Sequence, residues 1–466
     1  MNYDLIVIGS GPGGYVAAIR GAQLGMNVAI VERENLGGIC LNWGCIPTKA
    51  LLKSAQVFEY INHAADYGIK VGKATADFDA MIKRSRGVAD GMSKGISFLM
   101  RKNKITVING TGKVARGKKV EVTDDKGKMT AYSAEHIIIA TGARAKALPN
   151  LDIDGKNIIE YRKAMSLEKQ PKSMVVVGAG AIGVEFAYFY SSIGTKVTIV
   201  EFMEQGLVPR EDADISKELT KIFKRSAGID VLGNTSVESV DTKGKGCTVT
   251  VKNRKDGKTS EIKCDVVLSA AGVTPNTEDI GLEALGIKTD RGLIQVDDFY
   301  RTNVSGIYAI GDVLATQALA HVASAEAITC VEKIAGQSPE PIDYNNIPGC
   351  TYCSPEIASV GYTEKEAKEA GFELKVGKFP FTASGKAKAS GASNGFVKVI
   401  FDAKYGEFLG AHLIGSNVTE MIAEVVVARK LETTGHEIIK AIHPHPTMSE
   451  ALMEAAAAAY GEVIHL

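Results

Sequence analysis

No stretch of this 466-residue chain approaches the roughly 18 consecutive apolar residues that a membrane helix needs, so no membrane span is expected. Neither sign of charge is in excess, with 54 Lys plus Arg against 54 Asp plus Glu. Such a balance offers no electrostatic footprint for nucleic acid or for an anionic membrane. Cysteine is scarce: seven residues are far too few for a secreted disulfide scaffold, and an odd count leaves at least one thiol without a partner cysteine in the chain. A reducing compartment fits best. The opening residues, from Met1 to Gly9, run straight into an apolar strand without the basic region and cleavage site of a secretory leader, so a cytoplasmic protein is expected. Glycine, by contrast, is abundant at 49 residues, which suits several tight strand-to-helix turns. The length implies two to four domains.

One segment occurs twice. Leu5-Ile6-Val7-Ile8 is a buried-type strand that enters Gly9-Ser10-Gly11-Pro12-Gly13-Gly14, and Val175-Val176-Val177 enters Gly178-Ala179-Gly180-Ala181-Ile182-Gly183 in the same way. A helical pattern follows each, then a second strand that ends in an acid, Glu32 or Glu201. The first glycine and the acid are 23 residues apart in both copies. A lone Gly-x-Gly-x-x-Gly is weak evidence, but the strand before, the helix after and the acid at this distance together make a dinucleotide fingerprint. Its glycines permit a tight turn and close approach of a pyrophosphate to the helix N-terminus, and its acid serves a ribose hydroxyl. Two copies imply two dinucleotides on one polypeptide. His136–Gly142 and Asp265–Gly272 read as the closing strands of the two segments, and Gly306–Val313 as a further strand ending in Gly311-Asp312. Residues 118–129 and 242–258 read as hairpins. Beyond about residue 343 the pattern changes to antiparallel strands at 396–401 and 407–414 and helices at about 417–431 and 447–460, with no fingerprint. The expected segments are 1–144, 145–270, 271–343 and 344–466.

Cys40 and Cys45 lie just after the first fingerprint, in Gly37-Gly38-Ile39-Cys40-Leu41-Asn42-Trp43-Gly44-Cys45-Ile46-Pro47-Thr48-Lys49. They could be a structural disulfide or two buried thiols. Held near a redox dinucleotide, they could instead store two electrons as a disulfide. The residues after Cys45 read as a helix start, and a helix N-terminus favours a thiolate. Lys49, one turn on, is either a solvated helix lysine or an inward one needing an acid, for which Glu185 is a candidate. A second chemical cluster is His443-Pro444-His445-Pro446-Thr447-Met448-Ser449-Glu450. Thiol oxidation needs a base, and a carboxylate on the second imidazole nitrogen would orient one. Thr447 to Glu450 is equally a capping box for the Ala-rich helix that follows, and the two roles can coexist.

In order and spacing, these motifs resemble the flavoprotein pyridine nucleotide-disulfide oxidoreductase family along the full length of the chain. That resemblance implies an α/β fold with two Rossmann-like dinucleotide-binding domains, one for FAD and one for NAD, plus a C-terminal α+β dimerisation domain. It implies that Cys40 exchanges with a substrate dithiol, that Cys45 forms the thiolate against the flavin, and that Lys49 pairs with Glu185. Gly9, Gly11, Gly14 and Glu32 would hold the FAD, completed by Lys49, Thr141, Gly142 and Asp312. Gly178, Gly180, Gly183 and Glu201 would hold the NAD. Gly112, Gly272 and Ala320 are further cofactor-binding candidates. His445 would be the base, oriented by Glu450, preceding a cis proline, and acting on the disulfide of the other subunit of a homodimer. His443 would stand behind it.

Four features favour the members that oxidise dihydrolipoyl groups, whose partners would be the lipoyl domains of 2-oxo acid dehydrogenase complexes or the glycine cleavage carrier. No arginine follows Glu201, so NAD is expected over NADP. Leu319-Ala320-His321 resembles the lipoyl enzymes. No extra cysteine pair ends the chain, and both redox cysteines are present. The alternatives are a glutathione-reductase-like enzyme using NAD(P)H, or a flavin-bearing interaction subunit without turnover. Ile39, Trp43 and the stretch Ala271–Asn276, which lacks an arginine before its Pro-Asn, depart from the commoner family pattern. Cys350 and Cys353, like Cys247, Cys264 and Cys330, read as packing cysteines.

Overall fold

The computed structural model describes residues 2–466. The chain forms two compact units, one of Met1–Ala50, Asp79–Lys146 and Val273–Ile342, the other of Leu51–Phe78, Ala147–Gly272 and Asp343–Leu466.

The first unit is built on the strand Asn2–Ile8, in which Leu5, Ile6 and Val7 are fully buried. Covered on both faces, such a strand can be continuously apolar and β-branched. It pairs in parallel with Val28–Glu32 on one side and Met129–Ile139 on the other. Thr106–Asn109 and Ile307–Ala309 add further parallel strands at the two flanks. The first half of Met129–Ile139 instead joins the antiparallel strands Thr111–Ala115 and Lys119–Thr123, the first of the expected hairpin regions. Helix Pro12–Gln23 buries only small residues, Gly13, Gly14, Ala17, Ala18 and Gly21. A Cβ on Gly21 would come within 2.9 Å of Leu5, so this helix is pressed hard on the sheet.

The second unit repeats the parallel arrangement. Asp230–Leu232, Lys196–Val200, Ser173–Val177, Val266–Ser269 and Ile158–Ile159 lie side by side in that order, all parallel. The duplication in sequence is therefore a duplication in space. Only the outermost strand differs in origin: it comes late in the chain in the first unit and early in the second. The second hairpin region is a three-stranded antiparallel sheet of Thr235–Asp241, Cys247–Asn253 and Thr259–Cys264. The C-terminal part is a five-stranded antiparallel sheet carrying helices Val418–Lys430 and Glu450–Tyr460, with a short helix Gly435–Lys440 that the sequence pattern did not suggest. Every residue of its strands Phe396–Asp402 and Phe408–Gly415 is buried.

One of those residues is a lysine. Lys398, 4% exposed, reaches Asp212 at 2.9 Å, Asp214 at 3.2 Å and Glu364 at 2.8 Å. Asp212 is itself the N-cap of helix Ala213–Ile222 and is 3% exposed. A buried ion cluster of this kind gains little over an apolar core, but removing one member strands the others. Lys398→Met is therefore expected to cost about 3–5 kcal/mol, read as a fall in the urea midpoint with little change in slope.

Candidate active site

Both glycine turns are shaped by contacts that no side chain could share. Gly9 has φ +100° and Gly178 φ +104°, and a Cβ on either would sit 2.2 Å from the Ala140 carbonyl oxygen or 2.6 Å from that of Ala270. A Cβ on Gly14 or Gly183 would lie 1.9 Å from the Gly9 oxygen or 2.0 Å from the Gly178 oxygen. Gly11 and Gly180, which cap the following helices, are different: a Cβ there would meet nothing within 4 Å. Both helix N-termini are thus approachable by backbone-seeking anions, and the residues present fit a diphosphate at each.

The two acids close these turns. Glu32 accepts the Ser10 N–H at 3.0 Å and hydroxyl at 2.6 Å with one oxygen, and the Glu34 N–H at 2.8 Å with the other. Glu201 does the same for the N–H groups of Ala179 at 2.7 Å and Met203 at 2.8 Å. Each carboxylate braces its own turn. Thr141 and Gly142 are locked to Asn276: the Thr141 hydroxyl donates to its carbonyl at 2.7 Å, and its own N–H donates to the Gly142 carbonyl at 2.8 Å. Gly272 takes φ +102° at the matching place in the second unit. Gly112 packs where a Cβ would come 2.9 Å from Ile8, so its bareness serves sheet packing. Asp312 lies in a 3-10 turn, where burial raises its pKa. Ala320 opens helix Ala320–Ile334. From that helix the fully buried Glu326 accepts the Gly311 N–H at 2.6 Å and the Thr316 hydroxyl at 2.8 Å. Nothing in the local spacing marked Glu326 as the support of the Asp312 turn.

The thiol segment is seated on the first turn. The Gly37 N–H donates to the Ser10 carbonyl at 3.0 Å, and Gly38 comes so close that a Cβ would be 2.6 Å from the Gly11 Cα. Cys40 lies in the short helix Gly38–Asn42, and Cys45 is the first residue of helix Cys45–Asn62. Their thiols are hydrogen-bonded to each other. The Cys40 pKa is pushed well above the ordinary thiol range, first because its S–H donates to Cys45 and then by burial and the negative charge of Cys45, with Lys49 acting the other way. Burial and both thiols also raise the pKa of Tyr15, which places its phenol beside the pair. Sequence reasoning missed this residue, for nothing but its position after the fingerprint distinguishes it.

In the second unit, Glu185 is 4% exposed on helix Ala181–Ser192 and accepts the Tyr352 N–H at 2.9 Å. Lys49 belongs to the first unit and Glu185 to the second. His445 precedes a cis peptide bond to Pro446. Its Nδ1 lies 2.8 Å from one Glu450 oxygen, while the other oxygen accepts the Thr447 N–H at 2.7 Å. The Thr447 hydroxyl turns away to the Pro444 carbonyl at 2.8 Å. The expected capping box is not formed, because the helix begins at Glu450 with Ser449 at its N-cap; the Glu450 carboxylate instead ties the Thr447 N–H and orients the imidazole. Because a carboxylate can only accept, His445 carries its proton on Nδ1 and presents a lone pair on Nε2. His443 sits between two acceptors, Glu424 at 2.7 Å and the Ala441 carbonyl at 3.0 Å, and the Glu424 bond raises its pKa against the effect of burial.

A thiol pair that can pass two electrons, set beside a dinucleotide turn and repeated in fold by a second such turn, defines a nucleotide-linked disulfide oxidoreductase. Residues 3–327 match the family described as pyridine nucleotide-disulphide oxidoreductase, and residues 347–456 match its dimerisation domain. The chain belongs to this family, as its motifs led us to expect, and its fold class is the expected one. Among curated relatives, the dihydrolipoyl dehydrogenase of Rhizobium etli is 50% identical, covering 100% of this chain and 99% of that protein. The dihydrolipoyl dehydrogenase of Zymomonas mobilis is 49% identical with the same coverage. Among solved structures, LpdA of Mycobacterium tuberculosis superposes with a TM-score of 0.89 at 28% identity, covering 97% of this chain and 98% of that one. The HOCl-induced flavoprotein disulfide reductase RclA of Escherichia coli gives 0.87 at 27%, covering 98% and 99%. Among the described residues, no helix is long and apolar enough to cross a membrane.

The His443–Glu424 pair makes a signed pH prediction. A histidine whose pKa is raised by folding stabilises the fold below its unfolded value, and that contribution is lost as pH rises through the folded value. Glu424→Gln should lower the His443 midpoint in an NMR titration. It should cost about 1 kcal/mol at pH 5.5, the low end for a charge-assisted bond because Glu424 is partly screened. The difference from the unaltered protein should close by pH 9.

Proposed function

We propose that this chain oxidises protein-bound dihydrolipoyl groups to the disulfide, with FAD as resident cofactor and NAD as final acceptor, as a cytoplasmic homodimer. The observation that carries the reading is the Cys40–Cys45 contact at the start of an 18-residue helix. The full-length relatives named dihydrolipoyl dehydrogenase support the choice of substrate.

In the oxidised pair, His445 of the partner subunit accepts a proton at Nε2 from one substrate thiol. The thiolate attacks Cys40, the Cys40–Cys45 bond breaks, and Cys45 leaves as a thiolate stabilised by the helix N-terminus. The second substrate thiol then attacks the substrate sulfur of the mixed disulfide and closes the substrate disulfide; its proton passes to Cys40, which leaves as the thiol, while the first proton stays on the imidazolium. Glu450 fixes the tautomer and balances the imidazolium that forms. On the single chain His445 is 79% exposed, as suits a base that serves another protomer. Flavin, when bound, would supply the two-electron acceptor that the reduced pair needs and a hydride donor for NAD. Gly9, Gly11, Gly14, Glu32, Thr141, Gly142 and Asp312 would hold it, with Gly178, Gly180, Gly183 and Glu201 holding the nicotinamide dinucleotide. The charge of Glu201 disfavours the additional phosphate of NADP. Arg254, which reaches this neighbourhood from the hairpin, is occupied stacking 3.7 Å over Phe202 and donating to its carbonyl at 3.0 Å. Lipoyl domains of 2-oxo acid dehydrogenase complexes, or the glycine cleavage carrier, would present the substrate.

Turnover of dihydrolipoamide with NAD should exceed that of glutathione disulfide with NADPH, and the opposite preference would defeat the reading. His445→Gln should lower kcat by about 10²–10⁴-fold, and Cys45→Ser should abolish turnover while the protein remains folded.

A further inference from the structure

The segment bearing the two cysteines is gripped by a single helix. Three consecutive residues of Phe78–Lys102 donate to its backbone: Arg84 Nη1 to the Ala50 carbonyl at 2.7 Å, Ser85 Oγ to that of Pro47 at 2.8 Å, and Arg86 Nη1 to that of Asn42 at 2.6 Å. Ser85 is fully buried. Arg86 does more than donate. Its guanidinium carbon lies 3.9 Å over the ring of Trp43, the only tryptophan in the chain, which stands between the two cysteines. The opposite handle of that indole is also held, its Nε1–H donating to Glu34 at 2.9 Å. Asn42 is tied in turn, its Nδ2 donating to the carbonyls of Leu36 at 3.1 Å and Gly38 at 2.9 Å. The link Asn42-Trp43-Gly44 therefore has its carbonyl, its ring face and its ring edge fixed, all by groups outside the cysteines themselves.

This arrangement bears on an equilibrium. Closing a disulfide loses two protons and two electrons from two thiols, and its constant rises with how much time the thiols spend in contact before the bond forms. A link free to move would let the sulfurs separate in the reduced state and favour the dithiol. A planar guanidinium that both stacks and donates is suited to holding such a link, where a lysine could do only one of the two.

We propose that Arg86, with Trp43 as its platform, is a positioning residue that keeps Cys40 and Cys45 in register and biases the pair toward its disulfide. This rests on the reading of these cysteines as the redox pair. The test is anaerobic equilibration of the full-length protein in mixtures of reduced and oxidised dithiothreitol, a quench with iodoacetamide, and mass spectrometry of the tryptic peptide 34–49, which carries both cysteines. In each exchange the protein dithiol passes its two electrons to oxidised dithiothreitol, and the reverse restores it. The peptide carries two alkyl groups when reduced and none when oxidised. Arg86→Met and Trp43→Ala are each expected to shift the equilibrium about tenfold toward the dithiol, which is about 30 mV for a two-electron couple. Arg86→Lys, the milder change, keeps the charge and should shift it in the same direction, with thermal melting close to that of the unaltered protein. An Arg86→Lys equilibrium within twofold of the unaltered protein would overturn the proposal, as would unchanged equilibria in the other two variants. If the unaltered peptide never passes from two alkyl groups to none, the redox reading of the pair fails. If it titrates and the variants titrate with it, only the positioning role fails.

Discussion

The first unit is registered against a turn in which Gly9 and Gly14 leave no room for a side chain. The Gly9 backbone lies against the Ala140 carbonyl, the next helix starts against the Gly9 carbonyl, and the thiol segment lies against Gly11. Each contact is backbone on backbone. A methyl group at Gly9, Gly14 or Gly38 would push apart two of three things that meet here: the central strand, the helix with the open N-terminus, and the thiol segment. Glu32 then fastens the same turn from the second strand. The open helix N-terminus and the thiol segment are therefore set by one local geometry. The second unit uses that geometry again, through Gly178, Gly183 and Glu201, without a thiol segment attached.

Placing two thiols side by side in a partly buried loop sets them in different surroundings. Burial and the neighbouring Cys45 both raise the Cys40 pKa. The start of an 18-residue helix at Cys45 offers unpaired N–H groups to an anion, whereas the five-residue helix around Cys40 begins two residues before it. The Cys40 S–H donates to Cys45, and that bond is the largest cause of the raised Cys40 pKa. Lys49 acts the other way on Cys40, favouring its ionisation.

The parts of this structure visible in the sequence are those whose physics is local. A buried parallel strand, a glycine turn, a helix and an acid span about two dozen residues, and each step has a residue preference strong enough to read. The hairpin regions and the C-terminal strands were visible for the same reason. What spacing could not reveal are pairings between residues far apart in the chain. Lys398 meets Asp212 across 186 positions, and Glu326 supports the Asp312 turn from a helix whose own pattern records only packing. Helix Phe78–Lys102 looks in sequence like any amphipathic surface helix, and the three donors it turns on the thiol segment carry no motif. Tyr15 and Glu424 were missed in the same way: each is an ordinary residue whose neighbour comes from elsewhere.

The C-terminal cluster shows why two readings of one motif need not compete. A helix N-terminus favours a carboxylate, and a base needs one on its far nitrogen; Glu450, as the first residue of its helix, stands where both demands fall on the same group. A monodentate acceptor would have to choose. A carboxylate has two oxygens, and here one takes the Thr447 N–H and the other the His445 imidazole. The backbone bond fixes the plane of the carboxylate, and the plane fixes the imidazole, so the Thr447 contact is what gives the orienting contact its direction. Burial raises the carboxyl pKa, but the Thr447 N–H and His445 outweigh it and leave Glu450 below its ordinary value. It thus stays ionised wherever a neutral imidazole is available to act, which is the condition a histidine base requires of its partner.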